Sequence, residues 1–160
     1  MVKIVTAAEA ANLIEDAATI ATSGFVGSAN PEALTTALEE RFLRDGRPCN
    51  LTLVYCAGQG DGKDCGANHF GHENMVKRVV GGHFKTAPKL SQLAVDEKIE
   101  AYNFPQGTLT QWFRNVAGKK PGVITKVGLN TFVDPRIEGG KINKKTTQDL
   151  VEVIELGNEE

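Results

Sequence analysis

The chain has 160 residues, 41% of them hydrophobic and 24% charged, which is the composition of an ordinary globular domain with enough apolar material for one core. Its net charge of −2 leaves no electrostatic footprint for nucleic acid or an anionic membrane surface. No stretch approaches the roughly 18 apolar residues of a membrane-spanning helix, and MVKIVTAAEAANLIEDA lacks the apolar centre of a secretion signal, so the expected location is the cytoplasm.

Thr6 and Glu9 form a capping-box pattern, and Ala7, Ala10, Ala11 and Ile14 follow at helical spacing, which predicts a helix over residues 6 to about 16. TIAT at 19–22 is a short strand. TSGFVGSANPEAL then reads as a strand end, a tight glycine turn and a helix, with Asn30 as N-cap, Pro31 at the first helical position, and Leu34, Leu38 and Phe42 facing inward. LTLVYCA at 51–57 is the continuous apolar run of a strand buried on both faces, and the glycine-rich AGQGDGKDCG follows it.

HENMVKRVV is expected to be a helix closed by Gly81 and Gly82, and PKLSQLAVDEK a further one opened by Pro88. IEAYNF is a strand. TLTQWFRNVAG carries Leu109, Trp112, Phe113 and Val116 at i, i+3, i+4 and i+7 with Gly118 as its stop, so it is a helix. GVITKVG is expected as a strand, LNTFVDPRIEGGKINKKTTQ as a long polar loop that is functional or packed against something, and LVEVIEL as a strand in need of a neighbour, so that the stretch from about Thr146 is expected to be poorly ordered or to pair with another molecule. Strands alternating with helices of about ten residues indicate an α/β domain with a mostly parallel, open sheet flanked by helices.

Several chemical motifs fail on inspection. AGQGDGKD would need glycine at Ala57 and a hydroxyl residue at Asp64 to be a phosphate-binding P-loop, and Gly58 and Gly60 lead to Lys63 rather than the third glycine of a dinucleotide fingerprint. Cys65, His69 and His72 lack a fourth zinc ligand other than Cys56, whose neighbours on the strand are apolar. The histidines therefore read as solvated or capping residues, and no metal is expected. Cys65 has no sequence signature for an activating base, Ser23 does not sit in a G-x-S-x-G elbow, and Glu138 reads as a solvated loop carboxylate. The odd count of Cys49, Cys56 and Cys65 predicts free thiols.

SGFVGSANPEAL resembles the N-terminal signature of family I CoA-transferases, a strand running into a Gly-Gly-Phe turn and a proline-started helix. Gly24, Phe25 and Pro31 keep that pattern, whereas Ser23 and Ala29 stand in place of glycines. The resemblance continues through NLTLVYCAGQGDGKDCGANHFGHENMVKRVVGGHFKTAPKL, IEAYNFPQGTLTQWFR, GVITKVGLNTFVDPRIEGGKIN and TTQDLVEV, in the manner of the acetate and propionate branch.

It implies a three-layer CoA-transferase-like fold, with residues 1–160 forming the N-terminal portion of a first domain. It also implies reversible transfer of CoA between a short-chain acyl-CoA and a carboxylate such as acetate, acetoacetate or propionate, with coenzyme A as substrate and no separate cofactor. The nucleophilic glutamate is expected in a second half, fused or on a β subunit, so no catalytic residue is assigned in this chain and the chain alone is expected to be inactive. The resemblance places Gly24, Phe25, Gly27, Gln106 and Gly107 against the substrate and suggests a homo-oligomer. A non-catalytic interaction or scaffold domain that retains the fold is the competing reading, and a sugar-phosphate isomerase would need its own acid and base, which the sequence does not offer.

Overall fold

A computed structural model of the chain describes residues 2–157. Its centre is the apolar run Leu51–Tyr55 (β2), flanked by Thr19–Ala21 (β1) on one side and Val76–Gly81 (β3) on the other, with Glu100–Asn103 (β4) beyond β3. All three pairings are parallel. The register aligns Ile20, Leu53, Val79 and Ala101 in one row across the sheet, and Ala21, Val54, Val80 and Tyr102 in the next.

Because successive side chains of a strand point to opposite faces, the two rows feed two separate cores. The first row packs with Leu38 and Phe42 of helix α2 (Glu32–Asp45), Ala11 of helix α1 (Ala7–Ala11), Leu90 of helix α3 (Pro88–Val95) and Phe70 of a short 3-10 helix (Gly66–Phe70). The second row packs with Leu109, Trp112 and Phe113 of helix α4 (Gln106–Ala117) and with Val133. Full burial of a side chain such as Leu53 contributes about 1.5–3 kcal/mol, so this double-faced sheet is the main source of stability. The open, parallel, three-layer α/β architecture expected from the sequence is the one observed. No helix among the described residues is long and apolar enough to cross a membrane.

The elements differ from expectation in identifiable places. HENMVKRVV is not a helix: after a turn closed by Asn74 at φ +71 it becomes the central strand β3, whose Val79 and Val80 fill opposite cores. The capping box of Thr6 and Glu9 is formed, but α1 stops at Ala11 instead of reaching residue 16. The Ala11 and Ile14 carbonyls accept from the Arg41 guanidinium instead of continuing the helix. Asn30 does not cap α2, since its side-chain amide donates to the Val26 carbonyl and the helix starts one residue later, at Glu32. Leu34 and Val116, expected to face inward, are exposed.

GVITKVG forms no strand, with Ile124 and Val127 largely exposed. The outer edge of β4, where such a strand would add, is occupied instead by the polar loop: Lys141 bridges Tyr102 in antiparallel sense, the Ile142 N–H donates to the Ala101 carbonyl, and the Asn103 N–H donates to Gly140. LVEVIEL is likewise not a strand. The chain leading into it is anchored rather than frayed, because buried Thr146 exchanges hydrogen bonds with both backbone groups of Ala101 and the Tyr102 hydroxyl donates to the Gln148 carbonyl.

Candidate functional site

Parallel strands present their C-terminal ends to one edge, which is where open α/β sheets place ligands. Here that edge carries the turn after β1, the glycine-rich loop after β2, Gly82 after β3 and the start of α4 after β4. The turn from Thr22 to Pro31 is unusual in its backbone. Gly24 lies at φ +131, and Val26 and Ala29 lie at +53 and +57, a left-handed region that non-glycine residues rarely adopt and that is a genuine outlier for a β-branched one. Each such residue costs of order 1–3 kcal/mol, so the surroundings must hold it in place. A β-carbon on Gly24 would lie 2.2 Å from Asn30 Oδ1, which leaves glycine as the residue that fits.

The turn is fastened at several points. Phe25 and Ser28 exchange backbone hydrogen bonds, the Val26 N–H donates to Gly58 at 2.7 Å, and the Gly60 N–H donates back to Val26 at 2.8 Å. Gln59, almost fully buried, adds a two-point grip on Thr22. What the fastening leaves free is notable: the N–H groups of Gly24 and Gly27 have no acceptor among the described residues, and Phe25 projects into solvent.

At the other side of the edge, Gly82 is pressed between β2 and α4. A β-carbon there would sit 2.0 Å from the Cys56 carbonyl oxygen and 2.6 Å from Gln106 Cγ. Glycine at 82 thus lets the Gln106 side chain lie across the strand end. Its amide makes no hydrogen bond among the described residues, while its backbone carbonyl accepts from Thr110. Gln106 is the first residue of α4 rather than part of a preceding turn, and a β-carbon on Gly107 would meet open space. The two predicted groups, Gly24 to Gly27 and Gln106 to Gly107, therefore share one sheet end but flank it from opposite edge strands. Three strand spacings separate those strands, about 14 Å. An open groove of about 500 Å³ continues from Gly82 along α3, past His83, Asn103 and Phe132.

Beside the turn lies a cluster that the sequence reading takes for solvated residues. His69 is buried, and its Nε2 and Nδ1 face Glu32 Oε1 at 2.7 Å and Glu39 Oε2 at 2.5 Å; the other Glu39 oxygen meets His72 Nε2 at 2.5 Å. Burial alone would push the His69 imidazolium down, but the hydrogen bonds to Glu32 and Glu39 outweigh it and hold its pKa above the ordinary value. Desolvation likewise works against the two carboxylates, and the histidines, with the Gly66 N–H on Glu32, bring both below their usual range. Glu32 and Glu39 are seven residues apart, two turns along one face of α2. That spacing, set against H-x-x-H at 69–72, is the signal from which the pairing could have been found.

The Glu32 carboxylate also pushes the Cys65 thiol up to about 11, opposite to the shift a nucleophilic cysteine needs. Glu138 is exposed, and all three cysteines are free. Among the described residues no group of histidine, cysteine and carboxylate side chains converges as a metal site would.

Residues 4–160 match the family model described as coenzyme A transferase. The chain is 42% identical over 160 residues to the caffeate CoA-transferase of Acetobacterium woodii, covering 100% of this chain and 30% of that relative. It is 41% identical over 160 residues to the acetate CoA-transferase YdiF of Escherichia coli strain K12, covering 99% of this chain and again 30% of the relative. A solved structure of the acyl-CoA transferase YdiF from E. coli O157:H7, a thioester complex with CoA, matches with a TM-score of 0.93 at 41% identity, over 96% of this chain and 30% of that one. The chain thus spans about 30% of the length of these relatives. It belongs to the coenzyme A transferase family.

Proposed function

We propose that this chain is the N-terminal portion of the first domain of an enzyme that moves CoA reversibly between short-chain acyl-CoA and carboxylates such as acetate, acetoacetate or propionate. Its second, glutamate-bearing half lies outside these residues, on the same polypeptide or a β subunit. The observation that carries the reading is the pair of acceptorless N–H groups at Gly24 and Gly27, on the sheet end that also holds the unpartnered Gln106 amide.

In the reaction, a glutamate carboxylate of the second half attacks the thioester carbonyl, the C–S bond breaks, and CoA leaves as thiolate with an acyl-glutamyl anhydride behind it. The thiolate then attacks the glutamyl carbonyl and expels the donor carboxylate, giving a glutamyl-CoA thioester that the acceptor carboxylate reopens by the reverse steps. Each addition places negative charge on a carbonyl oxygen, and fixed donors aimed at that oxygen stabilise it without reorganisation. Gly24 and Gly27 supply such donors on one side of the cleft with Phe25 beside them, and Gln106 supplies one from the other side, next to Gly107, without adding charge. CoA enters as substrate; the working form is a cytoplasmic homo-oligomer.

The test is direct. The intact protein, incubated with acetoacetyl-CoA or propionyl-CoA and acetate, should form acetyl-CoA and a CoA adduct on one glutamate outside residues 1–160, while this chain alone forms neither. Turnover or a stoichiometric adduct on the isolated chain would show that no second half is needed.

A further inference from the structure

A turn that holds Val26 and Ala29 in left-handed geometry relaxes unless it is clamped from outside. Two of the clamps are backbone hydrogen bonds between Val26 and the loop at Gly58 and Gly60. The third is a side chain. Gln59 is 3% exposed and spends both ends of its amide on Thr22: the Thr22 hydroxyl donates to Gln59 Oε1 at 2.7 Å, and Gln59 Nε2 donates to the Thr22 carbonyl at 3.0 Å. The same residue pairs with Val26 as an isolated parallel bridge, and its carbonyl accepts from Ala67.

Gln59 therefore grips the first residue of the turn, lies against the turn's strained centre, and is itself tied to the entry of the 3-10 helix. A buried amide has no need of so specific a partner for packing alone, since an apolar side chain would fill the space without four groups to satisfy. What the grip fixes is the direction in which the chain leaves β1, and with it the aim of the Gly24 and Gly27 N–H groups.

We propose that Gln59 is a positioning residue of the acyl-transfer site: through Thr22 it holds the strained turn in the one geometry that points the Gly24 and Gly27 N–H groups at the reacting carbonyl. The inference rests on the function proposed above and adds a residue that touches no substrate. Donors of this kind act only when aimed, and misplacement on the scale of an ångström costs up to about 100-fold in rate.

The variant that tests it in the intact enzyme is Gln59→Glu. Ionised, at about pH 8, the carboxylate still accepts from the Thr22 hydroxyl but has no proton for the Thr22 carbonyl, which it repels. Burial at this position raises a carboxyl's pKa, so at about pH 5 the side chain is protonated, nearly isosteric with glutamine, and restores both hydrogen bonds. The expected result at the higher pH is a kcat reduced about 10- to 100-fold per active site titrated as the glutamyl-CoA adduct, with KM for acyl-CoA within about threefold. The ratio of variant to parent kcat should recover as the pH falls. Thr22→Val, which removes only the hydroxyl, should show a smaller loss that does not recover with pH, and it decides the matter if Gln59→Glu does not fold.

A parental kcat at high pH, a loss that matches a fall in titrated sites, or a loss in Gln59→Glu that is independent of pH would each overturn the proposal. A parent that transfers no CoA would instead refute the functional reading. Hydrogen exchange at Val26 and Gly60 then still reads the clamp, with faster exchange in Gln59→Glu expected and unchanged exchange overturning it.

Discussion

Ala29 offers a measurement of how much strain the turn carries. It is exposed, at φ +57, and its side chain is a single methyl group, so its replacement changes backbone preference and little else. The left-handed conformation costs an L-residue about 1–2 kcal/mol. Glycine is free of that cost but surrenders about 0.5–1 kcal/mol more chain entropy on folding. Ala29→Gly should therefore stabilise the chain by about 0.5–1 kcal/mol, a rise in Tm of roughly 1–4 °C for a domain of this size.

Ala29→Val adds branching at the β-carbon where the left-handed geometry is least tolerant of it, and should lower Tm instead. Val26→Gly is the informative contrast: it relieves the more severe outlier but removes a side chain that is 42% exposed. Full burial of valine contributes about 1.5–3 kcal/mol, so the partial loss offsets the relief and the net change should be close to zero. Thermal unfolding followed by circular dichroism reads all three variants. An Ala29→Gly chain less stable than the parent, or an Ala29→Val chain more stable, would mean that the turn does not hold the strained geometry in solution.

Two further outcomes are expected. In the intact enzyme, Gln106→Ala should lower kcat by on the order of 10²-fold, the scale of losing one oxyanion donor, while Tm stays put because the exposed amide has no hydrogen bond to lose; kcat within about threefold of the parent would remove Gln106 from the site. The stability that His69 gains from Glu32 and Glu39 is complete below the ordinary histidine value of 6.5 and lost as pH rises through its raised folded pKa, whereas the carboxylates' share is complete above 4.5 and lost as pH falls through their lowered ones. The Tm difference between parent and His69→Gln should accordingly be widest between those two values and narrow on either side, and a difference constant with pH would contradict the double ion pair.

The layers of the fold were legible wherever one residue pattern admits one structure. The apolar run of β2 can be satisfied only by burial on both faces, and Leu109, Trp112 and Phe113 mark a single stripe on α4. HENMVKRVV was not legible because its alternation is short and its charged half fits a helix surface. Pairing with β2 and β4, a tertiary fact, makes Val79 and Val80 face opposite ways. GVITKVG and LVEVIEL fail as strands for the converse reason. Their propensity is adequate, but a strand exists only where an edge is open, and residues 140–142 already cover the edge of β4.

The candidate site is legible in the glycines of its turn and not in the side chains that brace that turn. Gly24 stands where a methyl group would collide with Asn30, so close approach forces glycine and the glycine shows in the sequence, whereas Gly82, pressed against the Cys56 carbonyl, reads in the sequence only as the stop of a helix that is not formed. Gln59 carries no such mark. It lies inside AGQGDGKD, where glycines draw attention to phosphate binding, and its partner Thr22 is 37 residues away, just past the end of β1. Glu32 and His69 are separated by the same distance, and each taken alone reads as solvent-facing. Residues that shape a turn can be read locally because their constraint is their own φ. Residues that hold a turn in place act through pairs that only the sheet's parallel crossover brings together, and for that reason the strain at Val26 and Ala29, with no glycine to announce it, is the observation that leads back to Gln59.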